Sequence, residues 1–309
     1  PKCVGLLSRM PKRDAIWTIQ QYESVRYLLP TADMPAQSTR AGNLSAISDQ
    51  FDVFLLDAFG VLNVGETSIN GAVKRIELLK NMGKKVLVLT NGARLPAESA
   101  LNKFLELGFH FELSDIVSSR DALVAALPPL PDDGFWGVMS SQNSQIETLG
   151  VPCRRLEDDK LTYDRASGFI LLSASEWNES RQLLLRECLV KAPRPILVGN
   201  PDIIAPRGSH FSLEPGHYAY ELGRDLKLEL QLFGKPFANI YDLAFKRLPN
   251  VDLSRVAMVG DSLHTDILGG VAYGVKTVLV TQHGLFSGFD CRRFIIETKI
   301  VPDFIIPTI

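Results

Sequence analysis

The feature that most constrains this chain is a set of short apolar runs that show no alternation. Residues 51–56, Phe51-Asp52-Val53-Phe54-Leu55-Leu56, are too few for a helix and place apolar side chains at successive positions. A strand covered on both faces by helices reads this way, because neither face meets water. Residues 85–89, Lys85-Val86-Leu87-Val88-Leu89, repeat the signature. Between the two, Val73, Ile76, Leu79 and Met82 fall at helical spacing. Strand, helix and strand in that order make a βαβ unit with parallel strands. Further runs at 167–172, 196–198, 256–259, 276–280 and 304–306 alternate with amphipathic stretches such as 183–190 and 240–248, so the chain reads as α/β throughout.

With 309 residues the chain has material for two domains. Turn clusters at 128–134 and 232–236 mark candidate boundaries. Residues 1–50 are mixed and polar, with one apolar patch at 25–29, and are expected to pack a helix or two against the main body. Lys plus Arg number 33 and Asp plus Glu 35, a net charge of −2, which excludes the large basic footprint of a nucleic-acid binder. No apolar run reaches the 18 or so residues that span a bilayer, so a membrane partner is not expected. The four cysteines (Cys3, Cys153, Cys188, Cys291) form no CxxC pair, which points away from a disulfide framework or zinc site and towards a reducing, cytoplasmic location. Nothing near Pro1 resembles a secretory signal.

In a doubly wound sheet, ligands sit at the carboxyl ends of the strands. Four segments hold chemistry there or beside them: Asp57-Ala58-Phe59-Gly60-Val61-Leu62, Thr90-Asn91-Gly92, Gly234-Lys235-Pro236, and Gly260-Asp261-Ser262-Leu263-His264-Thr265-Asp266. An Asp carboxylate can attack phosphorus and divide a hydrolysis into two easier steps. Magnesium takes hard oxygen ligands, which Asp57, Asp261 and Asp266 offer. A lysine and polar donors suit the spread charge of a transferring phosphoryl group. Taken singly, each segment has a plainer reading: a cap at Asp57, a strand-to-helix turn at residues 90–92, a solvated Lys235, an Asx-turn at Asp261 and Asp266. All four in this order are far harder to obtain by chance.

These segments resemble the haloacid dehalogenase-like (HAD) hydrolase superfamily. Gly60-Val61-Leu62, Arg94 beyond Thr90-Asn91-Gly92, Asn200-Pro201-Asp202 and Thr265-Asp266-Ile267 resemble its class IIA branch of nitrophenylphosphatase-type and nucleotidase-type phosphatases. The resemblance runs from about residue 51 to the end. It implies a doubly wound Rossmann-like parallel-sheet core with an inserted α/β cap domain: a lead-in at 1–50, core at 51–130 and 235–309, cap at 131–234. It also implies a magnesium-dependent phosphatase acting on a small phosphorylated metabolite through an aspartyl-phosphate. Asp57 would be nucleophile and metal ligand. Thr90, Asn91 and Gly92 would bind phosphate and Lys235 would be the cation. Asp261 would ligate the metal, with Asp266 doing so directly or through water and residue 59 through its backbone carbonyl. Asn200 and Asp202 would lie where the cap returns to the core. The cap would set specificity, and its surface is a reasonable place for a homodimer contact.

The chain departs from the phosphatase pattern at Phe59, where the family places a second Asp that protonates the leaving group. General acid catalysis is worth about 10²–10⁴-fold, so the expectation is a slow or specialised enzyme, or a replacement acid for which His210, His217 and Asp202 are the candidates. Two alternatives stay open. Asp57-Ala58-Phe59-Gly60 also resembles the nucleophile segment of dehalogenases proper, which need no metal. A catalytically weak binding or regulatory protein on the same fold is the other. Trp17, Trp136 and Trp177 read as packing, Cys153 and Cys188 as small buried hydrophobes, and His264 as either a pocket residue or a solvated helix start.

Overall fold

The computed structural model describes residues 14–130, 133–207 and 210–309, with His210 described through its backbone only. Sixteen strands run in chain order: β1 (Thr39–Arg40), β2 (Val53–Leu56), β3 (Asn63–Val64), β4 (Thr67–Ser68), β5 (Lys85–Thr90), β6 (Ile116–Ser118), β7 (Trp136–Met139), β8 (Cys153–Arg155), β9 (Gly168–Leu171), β10 (Ile196–Val198), β11 (Ile204–Arg207), β12 (His210–Leu213), β13 (Leu230–Leu232), β14 (Val256–Gly260), β15 (Lys276–Val280) and β16 (Phe304–Ile306). The larger sheet has the order β1-β16-β15-β14-β2-β5-β6 and every pairing in it is parallel. A second parallel sheet, β13-β10-β9-β7-β8, is built wholly from residues between Trp136 and Leu232. Hairpins β3-β4 and β11-β12 complete the set.

The unalternated runs fold as their composition requires. In β2, Phe54 and Leu56 join one apolar cluster with Ile76, Leu79 and Phe104, while Val53 and Leu55 join another on the opposite face with Ile240, Tyr241 and Ala244. Both faces are sealed, so strand residues of either parity must be apolar. The second cluster also takes in Trp136, Val138, Ile170 and Leu172, which fixes one face of the smaller sheet against the larger. The far face of that sheet is covered by Leu185 and Leu189 and by Ala219 and Leu222.

The lead-in packs a helix against the main body, as expected, and adds details its composition does not announce. Its helix α1 (Ala15–Ser24), capped by the Asp14 carboxylate accepting from the Trp17 amide, precedes the apolar patch, which forms a short 3-10 turn at Arg26–Leu28. Thr39–Arg40 then adds an edge strand to the larger sheet, a role two polar residues cannot signal through hydropathy. Cys153 departs from expectation: β8 is an edge strand and Cys153 is only half-buried there, whereas Cys188 is fully enclosed. Cys3 lies outside the described residues. Among the described residues no helix is long and apolar enough to cross a membrane.

Candidate active site

Strands β14, β2 and β5 are adjacent and parallel, in a register that sets Val259 beside Leu56 and Leu56 beside Val88. Their carboxyl ends therefore open on one edge of the sheet, bringing together Asp57, Thr90 with Asn91, and Asp261. The Asp57 amide extends the ladder by donating to the Val259 carbonyl at 2.8 Å.

The Lys235 ammonium enters this edge from the loop after β13. It lies 2.6 Å from Asp57 Oδ1 and 2.8 Å from Asp266 Oδ1, and its side chain is only 2% exposed. The plain reading of Lys235 as a surface lysine is thereby overturned. The Asn91 amide fixes the loop: its Oδ1 accepts from the Lys235 backbone N–H at 2.7 Å and its Nδ2 donates to the Lys235 carbonyl at 2.8 Å. The same Nδ2 donates to Asp202 Oδ1 at 2.8 Å, which joins the core motif to the segment after β10. The Thr90 hydroxyl accepts from the Gly92 amide at 3.0 Å.

Asp57, Asp261 and Asp266 each offer an oxygen within 4.8 Å of the others. Asp261 Oδ2 accepts from the Leu285 amide at 2.7 Å and Asp266 Oδ2 from the Ser262 amide at 3.0 Å. Asp266 Oδ1 approaches Lys235 as an ion pair but lacks hydrogen-bond alignment with it. Glycines make the room. Gly60, at φ +79°, could not carry a Cβ without coming within 2.6 Å of Asp261 Oδ2, and a Cβ on Gly284 would come within 1.8 Å of it. Hard oxygens, an underused buried carboxylate oxygen and a glycine cradle together fit a divalent cation.

The charges shape the titration. Burial, with Asp266 adding like charge, raises the Asp57 carboxyl to about 6 against the opposing pull of Lys235. Burial and then the Asp57 and Asp266 charges hold Asp261 well above the carboxylate range. Burial works against the Lys235 ammonium, yet Asp266 and Asp57 together more than offset it and keep the lysine charged. Three carboxylates facing one ammonium are short of positive charge, a deficit that a cation would relieve.

A cleft above this edge is walled by Asp57, Phe59, Thr90, Asn91, Asn200 and Asp202, and by Arg94, Ser173, Arg207 and Glu214. Of the candidate site residues, Asp57, Phe59, Thr90, Asn91, Gly92, Asn200, Asp202, Lys235 and Asp261 line this cleft, while Asp266 is buried against Lys235. Arg207, from hairpin β11-β12, sits over the Phe59 ring at 5.1 Å and donates to Glu214 Oε1 at 3.3 Å. Of the candidate replacement acids, Asp202 reaches the wall. His217 packs its ring on Trp17 at 5.9 Å and is absent from the lining, and the His210 side chain lies outside the described residues.

Helix α1 supplies Thr18 and Tyr22 to the cleft, which no sequence signal announced. The Tyr22 hydroxyl accepts from the Ile203 amide at 3.2 Å, and its ring stacks on His264 at 4.9 Å. His264 fits neither expected description: it is completely buried, with Nε2 2.6 Å from Glu23 Oε1. Burial lowers its pKa despite that carboxylate, so the contact is a hydrogen bond donated by a neutral imidazole to an ionised Glu23. Arg120 was also missed. Its buried guanidinium donates to the carbonyls of Ala93 and Arg94 beside the second motif and to those of Ser144 and Gln145 beside the smaller sheet.

Comparison with known proteins adds the family and the fold. A family profile described as haloacid dehalogenase-like hydrolase matches residues 54–150, and one described as HAD-hydrolase-like matches residues 232–309. The chain belongs to the haloacid dehalogenase-like hydrolases. Its HAD relatives include a 4-nitrophenylphosphatase of Schizosaccharomyces pombe, 27% identical over 84% of this chain and 93% of that protein. In fold it resembles a possible sugar phosphatase of Cytophaga hutchinsonii (TM-score 0.77, 24% identity, 89% of this chain and 98% of the other). It also resembles a glycerol phosphate phosphatase of Mycobacterium tuberculosis solved in complex with magnesium (TM-score 0.65, 21% identity, 84% and 75%). Both parts of the HAD profile match flank the smaller sheet, whose strands lie mostly between them.

Proposed function

We propose that this HAD hydrolase is a magnesium-dependent phosphatase for a small phosphorylated metabolite. The observation that carries the reading is the convergence of Asp57, Lys235, Asp261 and Asp266 at one sheet edge. The named activity of the Schizosaccharomyces relative and the magnesium in the Mycobacterium structure support it.

In this reading Asp57 Oδ1 attacks phosphorus, the ester oxygen departs, and water then hydrolyses the aspartyl-phosphate on Asp57. Lys235 holds Asp57 in place and balances charge on the transferring group, while Thr90 and Asn91 orient its oxygens. Asp57, Asp261, Asp266 and the carbonyl of Phe59 would hold the metal, which neutralises developing negative charge on the phosphoryl oxygens when bound. The smaller sheet with its helices, residues 131–234, acts as a cap on the core at 51–130 and 235–309, and Arg207 with Glu214 presents its specificity surface to the cleft.

A metal-free dehalogenase is the second reading, favoured by Phe59 alone. It leaves a cluster of three carboxylates around a single ammonium without a purpose. Release of phosphate from p-nitrophenyl phosphate, dependent on magnesium, tests the proposal. Release of halide from 2-haloacids without metal, and none of phosphate, would replace it with the second reading.

A further inference from the structure

Resting on the phosphatase reading, we propose that Asp202 is the general acid for the leaving group, in the role that Phe59 has given up. Phe59 cannot donate a proton, and the groups packed on its ring, Arg207 at 5.1 Å and Lys103 at 5.4 Å, are cations rather than carboxyl groups. Four carboxyl groups wall the cleft: Asp57, Asp261, Glu214 and Asp202. The first two belong to the cluster around Lys235.

Glu214 is committed elsewhere. Its carboxylate accepts from Ser212 Oγ at 2.6 Å, Asn200 Nδ2 at 3.2 Å and Arg207 Nη2 at 3.3 Å. Burial raises its carboxyl despite these donors, but a guanidinium and two further donors fill its acceptor sites and leave it no free oxygen for a leaving group. Asp202 is held differently. One oxygen accepts from Asn91 Nδ2, and Oδ2 has no described hydrogen-bond partner. The Asn91 side chain that holds it also holds the backbone of Lys235, whose ammonium touches the nucleophile. The acid and Asp57 are thus both referred to the Asn91 amide, one directly and the other through Lys235.

The surroundings keep a proton on Asp202. Burial, reinforced by the charges of Asp57 and Asp266, pushes its carboxyl up to about 8, while the Asn91 hydrogen bond and the Lys235 charge act the other way. Tyr22 from helix α1 and Tyr220 also face it, both held neutral by burial. A group near neutral pKa suits proton transfer in both directions.

The steps balance. Asp57 carboxylate forms the O–P bond, the ester P–O bond breaks with its electron pair passing to the leaving oxygen, and that oxygen takes the Asp202 proton to depart as an alcohol. Asp202, now ionised, accepts a proton from the water that attacks the aspartyl-phosphate. Inorganic phosphate leaves, and both carboxyl groups return to their starting states.

The test is a series of phosphate monoesters, from p-nitrophenyl phosphate through less acidic phenols to alkyl phosphates, assayed with magnesium. Leaving groups of low pKa need no proton, so Asp202→Asn should lower kcat/KM, which reports the step that expels the alcohol and not the later hydrolysis common to all esters, by about 10²–10⁴-fold on alkyl phosphates. On p-nitrophenyl phosphate the loss should be at least tenfold smaller. Phe59→Asp placed in the Asp202→Asn background should restore the alkyl-to-aryl ratio, and Phe59→Asp alone should change it little. An equal loss on every ester, which a purely structural role gives, or a tenfold rise in alkyl turnover from Phe59→Asp alone, overturns the assignment. Should Asp202→Asn fail to fold, the unaltered chain decides: a shallow dependence of rate on leaving-group pKa supports the acid, and a steep one removes it. A chain inactive on the whole series removes the phosphatase reading and the assignment with it. Activity confined to esters of acidic phenols removes only the assignment.

Discussion

Asp57 gains its chemical character from neighbours that are far away in sequence. Lys235, 2.6 Å from it, offsets part of the cost of burying a carboxylate beside Asp266 and Asp261. In the proposed mechanism, replacing Asp57 with Asn keeps the shape but removes the nucleophile, so phosphate release from p-nitrophenyl phosphate should fall by about 10³-fold or more. A metal-dependent residual rate close to that of the unaltered chain would remove Asp57 from the mechanism. At the same scale, Asp202 gives a stability signature. An unfolded aspartate has a pKa near 4, and in the fold this one is raised to about 8. Between those values the folded chain holds a proton that the unfolded chain has lost, so stability falls as pH rises, by up to about 1.4 kcal/mol per unit. Thermal melts from pH 5 to 8 should lose this slope in Asp202→Asn; an unchanged slope would assign it to other groups.

At the scale of elements, helix α1 and the Arg120 bridge do what the motifs leave undone. Tyr22 and Glu23, neighbours on one helix, reach Ile203 on the chain after β10 and His264 in the fourth motif. Both contacts are side-chain specific, and neither residue is distinguishable by pattern from other polar positions in a lead-in. Glu23→Ala leaves the His264 imidazole buried with Nε2 unpaired, in addition to an Nδ1 that has no described partner. The expected cost is about 1–3 kcal/mol, read as a lower denaturation midpoint. Arg120 is the stronger joint, since its guanidinium satisfies carbonyls on both sides of the boundary between the sheets. Arg120→Ala should cost about 3 kcal/mol or more and loosen the smaller sheet, which limited proteolysis near residues 128–134 would detect. Equal protection in the variant would show that packing alone holds the sheets.

For the whole molecule, the charge balance links metal to stability. The formal charge is only −2, so no global field would draw an anionic substrate, and in the phosphatase reading its recognition would rest on Lys235, Arg94, Arg207 and a bound cation. Magnesium that binds the folded cluster and not the unfolded chain should raise the melting temperature, by the equivalent of about 2.7 kcal/mol at a hundredfold excess over Kd. Asp261→Asn should blunt that rise. Magnesium leaving both proteins unchanged would argue that the three carboxylates do not form its site.

The parallel core was legible because burial on both faces writes itself directly into composition: strands β2, β5, β14, β15 and β16 lie within a residue or two of the apolar runs. Three of the motifs were legible because each follows its strand within a few residues and parallel strands must bring their carboxyl ends to one edge, while the Lys235 motif, after β13 of the smaller sheet, was legible only by its residues. Edge strands β1, β8 and β13 were not, since a strand with one open side carries no continuous apolar run. Nor was the cleft wall of Thr18, Tyr22, Arg207 and Glu214, which packing between the lead-in helix, the β11-β12 hairpin and the core brings together. The sequence by itself determined the α/β core and the acidic and basic groups at its strand ends, because these are local consequences of hydropathy and spacing. Only the tertiary structure decided that Lys235 is buried between two carboxylates, that His264 is locked to the lead-in helix, and that Asp202 rather than His217 faces the cleft, because burial and pairing belong to the packed chain and not to any segment of it.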